Sequence, residues 1–179
     1  MIRWFQNNNL VMVLALVAIA AGCANQSNQA VQASQNEAPS DRQEIIQACS
    51  DLVLDYALYR DQHDTQKLVE LFTADAQMTV LGQTLKGWTA IRQRTLAAAK
   101  GPKTRHMMST IRIMPLSNDR ASGISYVAVY AATGAEGQIQ SVAGPAIIGN
   151  YVDEFERTSE GWRIASRRLD VAFRSDAEP

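Results

Sequence analysis

Few side chains in this chain can do chemistry. Among 179 residues there are two histidines, His63 and His106, and two cysteines, Cys23 and Cys49. An imidazole titrates near neutrality and moves protons in either direction. His106 opens a segment that alternates like a strand, which makes it the first candidate acid or base; the alternative is a hydrogen-bonded histidine at a strand entrance. On that strand it shares a face with Met108 and Thr110, while Met107, Ser109 and Ile111 share the other. His63 lies in the polar run Arg60-Asp61-Gln62-His63-Asp64 and is expected to face solvent. A tyrosine hydroxyl in an apolar pocket can donate to a carbonyl or a developing oxyanion. Tyr56, on a helical stripe, and Tyr126 and Tyr130, on one face of a strand, are the candidates, with core aromatics as the alternative reading.

Other chemistries find little support. There is no HExxH and no cysteine cluster, so no metal site is expected. No GxGxxG, P-loop or GxSxG pattern appears, and no cofactor is expected. Asp153 and Glu154 fall on opposite faces of their strand and offer no paired carboxylate. Lys and Arg total 17 against 18 Asp and Glu, interspersed, without the clustered basic face that nucleic-acid binding requires.

Several elements must position these residues. Ile45, Ile46, Cys49, Leu52, Val53 and Tyr56 recur at helical spacing, predicting an amphipathic helix from Asp41, as N-cap with Glu44 completing a capping box, to about Tyr59 or Arg60. Cys49 on that stripe reads as a buried structural thiol. A shorter helix capped by Asp64 carries Leu68, Val69, Leu71 and Phe72. After Ala74-Asp75-Ala76 a strand runs from Met78 to Leu81, returning past Gly82 through Leu85. A third helix follows Gly87 and contains Trp88, Ile91 and Leu96. Strands then cover His106 to Pro115, Ala121 to Ala132, Ile147 to Arg157 and Trp162 to Phe173, with turns at Asn118-Asp119 and Ser159-Glu160-Gly161. Trp88 and Trp162 are expected to be packing residues. Helices first and long strands last make the class α+β, with antiparallel hairpins.

The front of the chain reads as an export signal. Arg3 precedes an apolar run from Leu10 to Ala21, well short of the roughly 20 residues a membrane span needs. Ala20-Ala21-Gly22-Cys23 resembles the lipobox of bacterial lipoproteins, with Ala20 where Leu is commoner, which implies cleavage before Cys23 and its lipidation. Ordinary secretion is the alternative. Ala24 resembles the outer-membrane sorting pattern of Gram-negative bacteria. Asn25 to Ser40, rich in Gln, Asn, Ser and Ala, cannot bury enough surface to order itself and reads as a tether. The chain thus divides into a signal segment (1–22), a tether (23–40), a folded domain (41–174) and a short disordered tail (175–179).

The order of fragments in the domain resembles SnoaL-like domains of the NTF2-like superfamily. The match runs through Tyr56-x4-Asp61-x2-Asp64, Leu71-Phe72-x2-Asp75-Ala76, Gly87-x3-Ile91, Thr104-Arg105-His106, Gly149-Asn150-Tyr151 and Gly161-Trp162-Arg163. It implies a curved antiparallel sheet wrapped around helices into a cone with a deep pocket. In scytalone-dehydratase-like relatives a strand histidine at the position of His106 faces that pocket, and a carboxylate at the position of Asp61 points towards it. The resemblance therefore implies Asp61 and His106 as catalytic residues; the helical stripe adds Tyr56 to them, and the strand faces offer Tyr126, Tyr130 and Met108 as substrate contacts. A homodimer through the outer face of the sheet is also implied.

Two functions stay open from the sequence. One is a cofactor-independent dehydratase or isomerase acting on a small apolar or aromatic molecule. The other is a non-enzymatic ligand carrier or accessory domain, held at the membrane by its lipid anchor. A structural dimer resembling the small subunit of ring-hydroxylating dioxygenases is a third possibility.

Overall fold

The computed structural model describes residues 39–135 and 137–175. The signal segment, Cys23, most of the tether and residues 176–179 lie outside the described residues.

The elements run α1 (Pro39–Gln62), α2 (Thr65–Glu70), β1 (Phe72–Val80), β2 (Gln83–Lys86), α3 (Gly87–Ala98), β3 (Lys103–Pro115), β4 (Arg120–Ala132), β5 (Ile147–Thr158) and β6 (Gly161–Arg174). This is the α+β order expected. In α1, Ile45, Cys49, Leu52, Val53 and Tyr56 are all buried, so the predicted stripe is the packed face. The helix starts at Pro39, inside the segment read as tether, which places Asp41 in the first turn rather than at the N-cap. Proline suits a first turn, where its missing N–H would be unbonded anyway.

The other end of α1 extends past Arg60 because it closes in a Schellman-type cap. The Asp64 N–H donates to the Tyr59 carbonyl (3.0 Å) and the His63 N–H to the Arg60 carbonyl (3.4 Å), with His63 left-handed at φ 60°. His63 is thus half-buried rather than solvent-facing, and its Nδ1 is buried without a hydrogen bond. Asp61 is thereby fixed in the last turn of a capped helix. Asp64 caps α2 as expected, accepting from the Lys67 N–H (3.1 Å).

β1 begins at Phe72, well before the expected Met78, because Phe72 already pairs with Ile164 of β6. Leu81 and Gly82, at φ 51° and 80°, make the two-residue turn into β2, whose left-handed backbone matches strand twist. Trp88 tethers α3 to β1, its indole N–H donating to the Phe72 carbonyl (2.9 Å). Trp162 packs against the core.

The six strands form one sheet in the order β2-β1-β6-β5-β4-β3. Every hairpin pair is antiparallel, but β1 and β6 run parallel, so the sheet is mixed rather than wholly antiparallel. A parallel pair needs a long crossover, which the whole chain between β1 and β6 supplies. Two bulges decide which residues face inward. In β3 the register against β4 shifts between Ser109 and Arg112, where Thr110 has φ 49°. The extra residue reverses the alternation, so Ile111 and Ile113 join Met108 against the core, instead of lying opposite His106 and Met108. In the β5–β6 pair a shift between Glu154 and Phe155 sets Asp153 opposite Arg167.

Candidate functional site

The end of α1 and the start of β3 meet at Asp61 and His106. The Asp61 carboxylate lies 2.6 Å from His106 Nδ1, accepts the His106 backbone N–H at 2.8 Å and accepts the Thr104 hydroxyl at 2.9 Å. Both side chains are largely enclosed, at 7% exposure for His106 and 11% for Asp61. Burial alone would raise the Asp61 pKa. The side-chain and backbone hydrogen bonds from His106, its charge and the Thr104 hydroxyl outweigh it, and the carboxyl is held below its ordinary 3.8. An ionised carboxylate only accepts, so Nδ1 carries the proton of this hydrogen bond. Nε2 is left as the free nitrogen of a ring whose orientation and tautomer are fixed.

His106 forms part of the wall of a cavity of about 300 Å³. Tyr56 and Tyr151 line it beside His106, with Arg60 and Arg94 and an apolar part that includes Met78, Val80, Val129 and Leu169. Tyr56 stands edge-on to His106 (centroids 6.5 Å), Phe72 (6.1 Å) and Tyr151 (5.5 Å). Its hydroxyl lies 3.9 Å from the Met78 sulfur, a weak acceptor, and also interacts with the Tyr151 hydroxyl. Burial holds the Tyr151 hydroxyl well above the ordinary phenol value of 10.0, with Tyr56 adding to the shift and Arg167 opposing it. That hydroxyl stays a donor across the physiological range.

Behind the tyrosines sits a buried ion pair. Arg167 Nε and Nη2 donate to Asp153 Oδ1 (2.8 Å) and Oδ2 (2.7 Å), with both side chains almost wholly enclosed. The guanidinium carbon lies over both the Tyr56 ring (4.2 Å to centroid) and the Tyr151 ring (4.5 Å), which meet edge to face. Burial pulls the Arg167 pKa down, but Asp153 more than compensates and raises it. Arg167 Nη1 is buried and makes no hydrogen bond. Cys49 lies in the same core, its thiol pushed up to about 12 by burial and the Asp153 charge, which fits a structural role.

Sequence reasoning placed Asp61, His106 and Tyr56 together, and they are together. Its substrate contacts are not. Tyr126 is 49% exposed and, with Tyr130, lies on the outer face of β4, where alternation sends Ser125, Val127 and Val129 inward. Tyr130 borders a separate, shallower hollow with Lys103 and Arg105. Met108 points inward but packs against the core instead of lining the cavity. Tyr151, Arg60, Arg94 and the Asp153–Arg167 pair were missed. Counting back from the Gly161 turn sets Asp153 opposite Ser166, and only the bulge moves it to Arg167.

A second cavity, about 330 Å³, lies between the start of α1 and the β5–β6 hairpin, lined by Asp41, Glu44, Asn118, Arg157 and Trp162. Neither histidine lines it. Among the described residues no group of three or more His, Cys, Asp or Glu side chains is placed to hold a metal.

Residues 41–168 match the SnoaL-like domain model. A comparison with curated proteins returned no match. Among solved structures, a Mycobacterium tuberculosis protein of unknown function is similar at 26% identity, covering 73% of this chain and 77% of its own, with a TM-score of 0.64. An NTF2-like protein with a cystatin-like fold from Novosphingobium aromaticivorans is 23% identical over 73% of this chain and 83% of its own (TM-score 0.59). A hexachlorocyclohexane dehydrochlorinase, LinA-type3, from Novosphingobium barchaimii is 22% identical over 77% and 93% (TM-score 0.64). With the helices-then-strands order, the curved mixed sheet and a family match over most of its length, the chain belongs to the SnoaL-like family and carries its NTF2-like fold.

Proposed function

We propose that the domain is a cofactor-independent acid–base enzyme that eliminates from, or isomerises, a small apolar or aromatic molecule. The Asp61–His106 contact in the wall of the cavity carries this reading. In the elimination form, His106 Nε2 takes a proton from substrate carbon. The C–H electrons form the new double bond, and a hydroxyl or halide leaves the adjacent carbon. Asp61 stabilises the resulting imidazolium, and Tyr56 or Tyr151 donates to the leaving group or to a substrate carbonyl. The similarity to a dehydrochlorinase supports elimination over other proton transfers. A non-enzymatic carrier has no use for an oriented base at 7% exposure. The test is a panel of compounds with an acidic C–H beside a leaving group, followed by NMR in D2O. Loss of the substrate C–H in wild type, slowed about 100- to 10,000-fold in His106→Ala, is the expected result. Equal rates in both would overturn the proposal.

We also propose that the chain is exported and lipid-anchored through Cys23 at the outer membrane, facing the periplasm. The residues supporting this are Arg3, the Leu10–Ala21 run and Ala20-Ala21-Gly22-Cys23. Radiolabelled palmitate should be incorporated by the wild type and not by Cys23→Ala; equal labelling would refute it. For assembly we propose a homodimer through the outer sheet face. Met107, Ala128, Ile148 and Phe173 form one cross-strand row there, with Met107 59% and Phe173 69% exposed. Light scattering should give a dimer for wild type and a monomer for Phe173→Glu; a monomeric wild type would contradict it.

A further inference from the structure

We propose that the ligand of the His106 cavity is an anion: an apolar or aromatic body bearing a carboxylate or an equivalent charged group, held by Arg60 and Arg94. The proposal rests on the reading of this cavity as the ligand site, and it adds the charge and the polar anchor.

The argument starts from which charges line the wall. Arg60, in the last turn of α1, and Arg94, on α3, both line the cavity, and no Asp or Glu does. Two acids stand behind the wall: Asp153, which is paired with Arg167, and Asp61. It lies behind His106, already accepting from Thr104, the His106 backbone and the His106 ring. It does not neutralise the two guanidiniums.

Other arginines of the domain do have acids. Arg167 is paired with Asp153, Arg168 with Asp170 and Arg163 with Glu160. Among the described residues neither Arg60 nor Arg94 forms a salt bridge. Arg60 Nη1 is moreover buried without any hydrogen bond. A guanidinium N–H taken out of water and left unpartnered is unfavourable, so nothing in the fold compensates the Arg60 side chain for its place at the cavity wall. Placement at the C-terminus of α1 accounts for a positive charge at Arg60 through the helix dipole. It does not account for Arg94, which lies within α3 beside Thr95 and close to Ala98 on the cavity side.

The rest of the wall sets the ligand's body. Val80, Leu81, Val129, Ile147 and Leu169 offer only apolar contact. The volume of about 300 Å³ lies at the small end of the range for ligand sites, roughly 300–1,000 Å³. Guanidinium forks match the plane of a carboxylate and pair with it through two N–H donors. An anion so anchored fixes the ligand's orientation, which is what a base at a single position, His106 Nε2, requires of its substrate.

The test uses matched probes: cinnamate with cinnamamide and benzoate with benzamide, titrated into the purified protein at low salt by isothermal calorimetry and ligand-observed NMR. Each acid is expected to bind at least about tenfold more tightly than its amide, as for charge-assisted hydrogen bonds. Arg60→Gln and Arg94→Gln should each remove most of that preference by weakening the acid far more than the amide, with an unchanged circular dichroism spectrum and urea midpoint showing that the fold is intact. Equal affinity of acid and amide, insensitive to both substitutions, would overturn the anion proposal and leave the pocket reading standing. That is the result expected if the arginines only met charge developing during turnover. Failure of all four compounds to bind would overturn both.

Discussion

One carboxylate holds His106 at two points. Asp61 Oδ1 is 2.6 Å from the ring Nδ1, while Oδ2 accepts the backbone N–H of the same residue at 2.8 Å. The ring is thus positioned against its own strand by the capped end of α1. Substituting Asp61→Asn keeps the shape but replaces an acceptor-only group by an amide whose NH2 can face Nδ1. Turnover on any substrate found is expected to fall about 100- to 10,000-fold with circular dichroism unchanged. Retained turnover would show that Asp61 does not orient the base.

The same contact makes stability depend on pH. Because the Asp61 carboxyl is held below 3.8 in the folded state, its contribution is complete above that value and is lost as pH falls through the lower, folded value. Urea unfolding between pH 6 and 2 should therefore show a steeper acid-side loss in wild type than in Asp61→Asn. Parallel curves would contradict the assigned shift.

The Asp153–Arg167 pair is fully enclosed, so removing one partner strands the other. Asp153→Ala is expected to destabilise by about 3–5 kcal/mol, whereas the double replacement Asp153→Leu with Arg167→Met should cost far less. Chemical denaturation of the three proteins decides this. Equal losses in the single and double variants would mean that the pair's value lies elsewhere.

His63 occupies a left-handed position that favours glycine. His63→Gly should raise stability by about 1 kcal/mol, read as a higher urea midpoint, without loss of binding. A fall in the midpoint would show that the imidazole makes up for the backbone.

The Cys49 thiol, pushed up to about 12, should be inert to iodoacetamide at pH 8 in the folded protein and react on unfolding. Peptide mapping separates it from Cys23. Rapid modification of the native protein would contradict its burial.

Most of the fold was legible because its signals are local: the α1 stripe, the Asp64 cap, the glycine turns and the long β-branched runs. The parallel β1–β6 pairing and the early start of β1 were not, since both depend on a partner far along the chain. The site divides in the same way. Asp61 and His106 followed from matched family positions and Tyr56 from the helical stripe, but alternation alone could not say which face of β4 is inner, and Tyr126 and Tyr130 lie on the outer one. Arg167 was hidden by a bulge that shifts the hairpin register by one residue. Nothing local in the sequence sets Arg60 and Arg94 apart; they meet only at the cavity wall, which brings the end of α1 and α3 together.

The central claim is that Asp61 holds His106 as a base with Nε2 free. Its most direct test is a long-range proton–nitrogen NMR spectrum of the histidine rings at pH 9, where ordinary imidazoles are neutral. The account predicts the Nδ1–H form for His106 in wild type and its loss in Asp61→Asn. An Nε2–H ring in the wild type would contradict the account, because that nitrogen would then have no lone pair to accept a proton.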